Sequence, residues 1–412
     1  LQTNKRKILN DPVFGFISLH SDIIFNLIEH PYIQRLRRIK QLGLSALVYP
    51  GANHTRFEHA LGALHLMYSA IQVLRSKSVK ITDEEAEAAM IAILLHDIGH
   101  GPFSHALEHT IVKGVTHEQL SLLMMQKLNV EFEHKLQTAI MIFTDNYPKK
   151  FLHQLVSSQL DMDRMDYLRR DSFFSGVVEG TIGSDRIIKM LDVRNGHLVV
   201  EKKGIYSVEK FLIARRLMYW QVYLHKTVIA AEHVLINVLK RAKQLTHQGV
   251  ELFAPPQLKW FLNNDLYPGC FEDELLRQEM ISNFVKLDDS DLLSSIKVWC
   301  NETDFILSYL SKAIINRKLL RIKISDKNIP KSKIEKISDK ALMQMDVNSD
   351  VVEYLVFTGD ISNSIYEKNL DDIMVLTKNG KTKKLEDASD IDLKALTRKV
   401  TKHYVCYPKE LD

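Results

Sequence analysis

The stretch Ala88-Ala89-Met90-Ile91-Ala92-Ile93-Leu94-Leu95-His96-Asp97-Ile98-Gly99-His100-Gly101-Pro102 decides how this chain folds. An apolar run ends in a histidine–aspartate pair, and glycine and proline follow at once. The pattern predicts a helix that stops there and leaves two metal-competent side chains at its C-terminal end. Upstream, Thr82 followed by Glu85 fits a capping box, so the helix is expected over 83–97. Ala86, Met90, Ile93, Leu94 and Ile98 keep its 3.6-residue rhythm. Neighbouring residues on a helix diverge by about 100°. Asp97 can therefore meet His96 at one point only if the helix end or a rotamer turns it.

Working outward, the periodicity predicts further helices at 21–41, 57–76, 117–128, 133–144, 151–171, 207–245 and 272–285. Asn195-Gly196, between β-prone 191–193 and 198–200, predicts a hairpin. After about residue 315 the pattern changes. Leu320–Ile324 alternates apolar and basic residues, and 351–357, 373–376 and 399–407 read as strands. The expected fold is mainly α, a helical domain over 1–310 with a small α+β module over 311–412.

The 412 residues carry a net charge of +4, so the molecule as a whole is no polyanion binder. No run approaches the roughly 18–20 apolar residues of a membrane span. The N-terminus, Asn4-Lys5-Arg6-Lys7, opens no secretory signal. Cys270, Cys300 and Cys406 are scattered, which excludes a disulfide framework or zinc knuckle and points to the cytoplasm. Basic residues dominate 312–336, a solvated face or a surface for phosphate or nucleic acid.

Histidine is clustered: His54, His59, His65, His96, His100, His105, His109 and His117 lie in one stretch. Imidazole and carboxylate together suit borderline divalent metals. The His96-Asp97 pair needs partners from elsewhere, and His54, His59 and His65 are the upstream candidates. Downstream, Asp161-Met162-Asp163-Arg164-Met165-Asp166-Tyr167-Leu168-Arg169-Arg170-Asp171 supplies carboxylates at helical spacing. Asp163 shares a face with both Asp166 and Tyr167.

The order His59, His96-Asp97, Asp163 resembles the HD superfamily of metal-dependent phosphohydrolases. Flanking motifs narrow the resemblance. Gln34-Arg35-Leu36-Arg37, Lys40-Gln41-Leu42-Gly43, Pro50-Gly51-Ala52-Asn53-His54-Thr55-Arg56-Phe57-Glu58-His59, Thr116-His117-Glu118-Gln119 and Asp163-Arg164-Met165-Asp166-Tyr167 are similar to the deoxynucleoside triphosphate triphosphohydrolase branch. That branch has vertebrate SAM-and-HD-domain members and bacterial dGTPase-like members; no SAM domain precedes the motifs here. The likeness covers residues 8–230, and it implies an HD-domain helical bundle.

The resemblance implies a divalent metal (Mn, Fe, Co, Ni, Zn or Mg) on His59, His96, Asp97 and Asp163. It further implies hydrolysis of dNTPs, dGTP among them, to deoxynucleoside and tripolyphosphate. His105 is the implied proton donor to the leaving group, with His100, His117 and Glu118 orienting the phosphates. Arg56, Arg164, Tyr167 and Arg215 would meet the triphosphate. Gln41 and Asp171 would take the 3′-hydroxyl, Tyr223 would pack on C2′, and Leu42 would lie near the nucleoside. Asn10, Glu29, Gln34 and Arg37 correspond to an activator pocket. A nucleotide activator and a homo-oligomer, dimer or tetramer, are therefore expected, with the C-terminal module serving regulation or oligomerisation. Phe14 and Phe16 stand where relatives carry histidines. The rivals are another HD chemistry, nucleotidase or phosphodiesterase, and a silent nucleotide- or nucleic-acid-binding protein.

Overall fold

The computed structural model describes residues 7–103, 110, 114–363, 372–393 and 399–412. The chain opens with a hairpin of β1 (Ile8–Asp11) and β2 (Gly15–Ser18), followed by α1 (Asp22–Glu29) and α2 (Pro31–Gln34). The expected single helix over 21–41 is broken because His30 is extended, as the residue before a proline tends to be. Arg35–Arg38 then tightens into a 3-10 turn.

Two long helices follow, α3 (Arg56–Ser76) and α4 (Asp83–Leu95), each opened by a reciprocal capping box, Thr55 with Glu58 and Thr82 with Glu85. The expected apolar stripe of α4 understates its burial. Ala88, Ala89, Ile91, Ala92 and Leu95 are buried along with Ala86, Met90, Ile93 and Leu94, so α4 runs through the core. Next come α5 (His117–Glu131), α6 (Gln137–Phe143), α7 (Lys150–Val156) and α8 (Met162–Ser175). The helix expected over 151–171 divides where Ser157 becomes extended, and Asp161 caps α8 through the Arg164 N–H.

After α9 (Ser184–Met190), β3 (Leu191–Arg194) and β4 (His197–Glu201) form the hairpin expected at Asn195-Gly196. The helix expected over 207–245 is two, α10 (Ile205–Met218) and α11 (Lys226–His247), separated by a π-helical turn at Tyr219–Tyr223. Such turns widen a helix locally and recur at functional sites. Helices α12 (Pro256–Asn263), α13 (Glu274–Phe284), α14 (Asp289–Trp299) and α15 (Phe305–Ile315) complete the helical body; of these, periodicity singles out only α13.

The C-terminal region is α+β, with β5 (Arg321–Ser325), α16 (Lys331–Met345), β6 (Phe357–Asn363), β7 (Met374–Leu376), β8 (Thr382–Lys384) and β9 (Val400–Tyr407). The strand expected over 351–357 is instead a 3-10 turn at Val352–Tyr354, and β6 starts at Phe357. The turn is held from α11, where Asn237 Nδ2 donates to the Tyr354 carbonyl at 3.0 Å. Strands β5 and β6 flank β9 antiparallel, while β7 joins the β3–β4 hairpin, parallel to β4. Among the described residues the main apolar core draws on side chains from Ile17 to Leu411, and a smaller cluster of Ile229, Ala230, Ile361, Tyr404 and Cys406 lies apart from it. The fold is mainly α with a small α+β region, as the sequence predicts.

The basic 312–336 segment is partly spent internally: Arg321 and Lys323 face Asp412, and Arg317 Nε donates to the Leu47 carbonyl at 2.7 Å. Among the described residues no helix is long and apolar enough to cross a membrane.

Candidate metal centre

Helix α3 packs against both α4 and α8, and this arrangement brings three distant motifs to one point. His59 lies in the first turn of α3, His96 caps the end of α4, and Asp163 lies in the first turn of α8. His59 Nε2 is 3.2 Å from Asp163 Oδ1 and 3.7 Å from Asp97 Oδ2. His96 Nε2 is 3.4 Å from Asp97 Oδ1 and 3.5 Å from Asp163 Oδ1. Because α4 ends at Leu95, the turn after it swings the Asp97 carboxylate back toward His96. The divergence of neighbouring helical residues is thereby overcome.

The donor set suits a cation. His59 Nε2 and His96 Nε2 are buried with no hydrogen-bond partner, and the His59, His96 and Asp163 ligand atoms lie within 4.8 Å of one another. Their other ring nitrogens are fixed from behind. His59 Nδ1 donates to Asp166 Oδ2 at 2.7 Å, and His96 Nδ1 donates to the Ile93 carbonyl at 2.6 Å. Both rings thus turn Nε2 inward, the arrangement by which outer partners orient metal-binding histidines. Burial works against charge on His59, but the Asp163 and Asp166 carboxylates outweigh it and push its pKa up to about 10. A point that attracts a proton so strongly also attracts a metal cation.

Asp166 escapes a reading of the sequence that assigns ligands alone. It is wholly buried, accepts Arg170 Nε and NH2 at 3.0 Å each, and Arg170 NH1 reaches Asp11 at 2.7 Å. Gly62 leaves the room for this pair: a Cβ there would come within 1.9 Å of Asp166 Oδ1 and 2.3 Å of Arg170 NH2. The signal available in sequence was spacing, since Gly62 follows His59 by one turn and Asp166 follows Asp163 by one turn. Arg35 is the other missed residue. Fully buried, it donates to the carbonyls of Ile98, His100 and Leu287 and braces the turn after Asp97.

A second cluster adjoins the first. His100 Nε2 lies 3.4 Å from Asp97 Oδ1, and its ring stacks on His117 at 3.9 Å. Asp97, His100 and His117 themselves form a group able to hold a cation. Gly99 permits this approach, because a Cβ there would lie 2.1 Å from the His117 carbonyl oxygen. Burial and the nearby Arg56 guanidinium lower the His100 pKa to about 3, so this imidazole is neutral. Arg56 NH1 donates to Asp97 Oδ2 at 2.6 Å, and His117 Nε2 lies 3.3 Å from Glu118 Oε1. His105 lies outside the described residues.

Beyond the cluster, α8 carries Asp163, Tyr167 and Asp171 at successive turns. Arg164 pairs with the buried Asp161, and Arg215 NH1 donates to Gln159 Oε1 at 3.2 Å. The Tyr167 and Tyr223 rings meet edge-on at 6.2 Å, and the Tyr223 hydroxyl donates to Asp171 Oδ2 at 2.7 Å. Gln41 Oε1 is buried with no hydrogen-bond partner, and Leu42 packs against the core. Of the upstream histidines, His54 turns to Asp171, and His65 packs beside Phe14. His59 alone of those three joins the His96-Asp97 pair. Gln34 Oε1 accepts from Arg37 Nε at 2.9 Å, while Asn10 and Glu29 are exposed on β1 and at the end of α1.

Residues 56–171 match the HD domain, and residues 182–253 match the HD associated region. A solved phosphohydrolase from Bacteroides thetaiotaomicron is 52% identical, covers 98% of this chain and 100% of its own, and superposes with a TM-score of 0.94. The chain belongs to the HD-domain phosphohydrolase family. The uncharacterized protein YwfO of Bacillus subtilis is 32% identical over 424 residues, covering 99% of this chain and 93% of that protein. The deoxynucleoside triphosphate triphosphohydrolase SAMHD1 homolog of Dictyostelium discoideum is 30% identical over 306 residues. The match to it covers 69% of this phosphohydrolase and 57% of that protein, a little over half its length. The HD match begins at Arg56 and ends at Asp171, so it encloses the candidate metal centre and the acceptor bound by Tyr223.

Proposed function

We propose that this HD phosphohydrolase cleaves deoxynucleoside triphosphates, dGTP among them, to deoxynucleoside and tripolyphosphate. The observation that carries the reading is the stripe along α8. A carboxylate of the metal cluster, a phenol and a second carboxylate already gripped by Tyr223 follow one another over about 12 Å of helix. Phosphate-side and sugar-side groups thus lie in order on one rigid element. The relative named a deoxynucleoside triphosphate triphosphohydrolase supports the same substrate class.

His59, His96, Asp97 and Asp163 would hold the divalent cation; two imidazoles and two carboxylates suit Mn, Fe, Co, Ni or Zn, and Mg less well. When bound, it supplies Lewis-acid polarisation of the α-phosphate and a water of lowered pKa. Arg56, Arg164, Arg215 and Tyr167 would neutralise and orient the polyphosphate, guanidinium forks matching phosphate oxygens. Neutral His100 would hydrogen-bond the phosphates, and so would His117, which Glu118 pairs with and orients. Water adds at the α-phosphorus as the bond to the 5′-oxygen breaks, and that oxygen needs a proton, which we assign to His105. Gln41 and Asp171 would bind the 3′-hydroxyl, Leu42 would pack near the nucleoside, and the Tyr223 ring would stand where a 2′-hydroxyl would project. Asn10, Glu29, Gln34 and Arg37 are the proposed activator-binding residues, in a homo-oligomer regulated by a nucleotide.

The test is turnover of each dNTP, alone and in mixtures, with Mn²⁺ or Mg²⁺, products resolved by anion exchange. Deoxynucleoside with tripolyphosphate is expected; orthophosphate or pyrophosphate would replace this reading by another HD chemistry. Tyr223→Ala is expected to lower the dNTP-over-NTP preference in kcat/KM by roughly 10- to 100-fold, the range a shape contact can supply. An unchanged ratio would remove Tyr223 from sugar selection.

A further inference from the structure

We propose that His54 is the positioning residue for the sugar end of the cleft, holding both hydroxyl-binding groups at once; this rests on the reading that the sugar lies at Asp171 and Tyr223. The side chain acts on Asp171. His54 is 2% exposed, and its Nε2 is 2.8 Å from Asp171 Oδ1. A carboxylate only accepts, so Nε2 carries a proton, while Nδ1 is buried without a partner. The ring is kept in plane by stacking on Phe174, with centroids 4.5 Å apart and planes 16° from parallel. Tyr223 takes the other carboxylate oxygen. Each Asp171 oxygen therefore has one fixed donor, and its remaining lone pairs have fixed directions. Freed from His54, the carboxylate could rotate, and the Tyr223 hydroxyl would turn with it.

The backbone of the same residue acts on Gln41. Gln41 N–H donates to the His54 carbonyl at 3.0 Å, and the adjacent Lys40 and Thr55 form an antiparallel bridge. Gln41 Oε1, the buried unpartnered acceptor, is thus carried on a loop pinned by His54. One histidine sets the spacing between Gln41 and Asp171. It touches neither substrate nor metal in this account; it selects the sugar through its neighbours.

Two variants and one spectrum test this. His54→Phe keeps the stacking plane and removes the N–H; His54→Gln restores a donor. His54→Phe is expected to keep its bound metal, raise the KM for dNTPs about tenfold more than it lowers kcat, and cut the dNTP-over-NTP ratio about tenfold. His54→Gln should recover most of that ratio. An unchanged ratio in His54→Phe, or equal loss in both variants, would overturn the proposal. Should His54→Phe fail to fold, ¹⁵N-histidine NMR of the intact protein decides. The expected His54 signal is an Nε2–H tautomer that shifts in Asp171→Asn, and any other tautomer overturns the role. If wild-type protein shows no dNTP turnover while the tautomer is as expected, the substrate reading has failed and the His54–Asp171 coupling stands.

Discussion

Asp163→Ala is expected to strip the divalent cation from the protein and to lower turnover by at least about 100-fold. Asp163 Oδ1 faces both buried Nε2 atoms, at 3.2 Å from His59 and 3.5 Å from His96, and is the element of the cluster that α8 contributes. Without it, the cation would be left with two imidazoles and Asp97, whose Oδ2 is already engaged by Arg56. Losing a partner behind a ligand costs 10–100-fold in metal affinity or activity, and losing the ligand itself costs more. The check is metal content by elemental analysis beside kcat. Metal retained at full occupancy with normal turnover would refute the four-ligand assignment. Asp166→Asn makes the matched comparison: it leaves the ligands in place and weakens the anchor on His59 Nδ1, so a smaller loss, about 10–100-fold in affinity, is expected.

Arg170→Met is expected to produce the largest loss of stability, roughly 3–5 kcal/mol at neutral pH. Arg170 is fully buried and is shared by two carboxylates, Asp166 and Asp11. Removing it strands both in the interior, where an uncompensated charge is far costlier than the intact pair is favourable. The pH dependence has a definite sign. Burial works against charge on Asp166, but Arg170 and His59 outweigh it and hold its pKa below the usual carboxylate value. In the wild type that contribution is present above about pH 4 and is lost as the pH falls through the folded-state value. The gap between wild type and Arg170→Met should therefore be full at pH 7 and narrow on acidification. Denaturant unfolding at several pH values measures it, and a variant as stable as wild type at pH 7 would show that the ion pairs do not support the fold. Because Asp166 also anchors His59, the same variant should bind metal more weakly.

Variants at Asp163 and behind Asp166 separate two roles carried on one face of α8. Asp163 and Asp166 lie one turn apart on α8 and flank the same imidazole, one at each nitrogen. The first faces the candidate metal point and is partly accessible; the second is sealed behind it. Sequence spacing places both near His59 but does not assign them different work. Burial does, because a sealed carboxylate can only anchor and an accessible one can bind.

Local pattern was legible where it depends on neighbours along the chain. The capping box at Thr82, the helix end at the His96-Asp97 pair, which comes at Leu95, and the hairpin at Asn195-Gly196 all rest on contacts within a few residues. Errors arose where one apolar rhythm ran through a break. The 207–245 rhythm passes over the π turn at Tyr219–Tyr223, and the 151–171 rhythm passes over Ser157, because burial continues on both sides. Val351–Phe357 has strand-like composition yet turns, since Tyr354 is claimed by α11. Such outcomes depend on partners that local propensity does not contain.

By itself the sequence determined the donor chemistry, histidine and aspartate at the end of an apolar helix, and the order of motifs that marks an HD phosphohydrolase. The family resemblance already singled out His59 among the upstream histidines, and the packed structure brings it to that pair while His54 and His65 turn elsewhere; only the tertiary structure decided that Asp166 and Arg170 stand behind it and that His54 meets Asp171. The reason is geometric. Each helix fixes which residues share its own face, but the crossing of α3 with α4 and α8 sets which faces meet, and that crossing is settled by packing of the whole core.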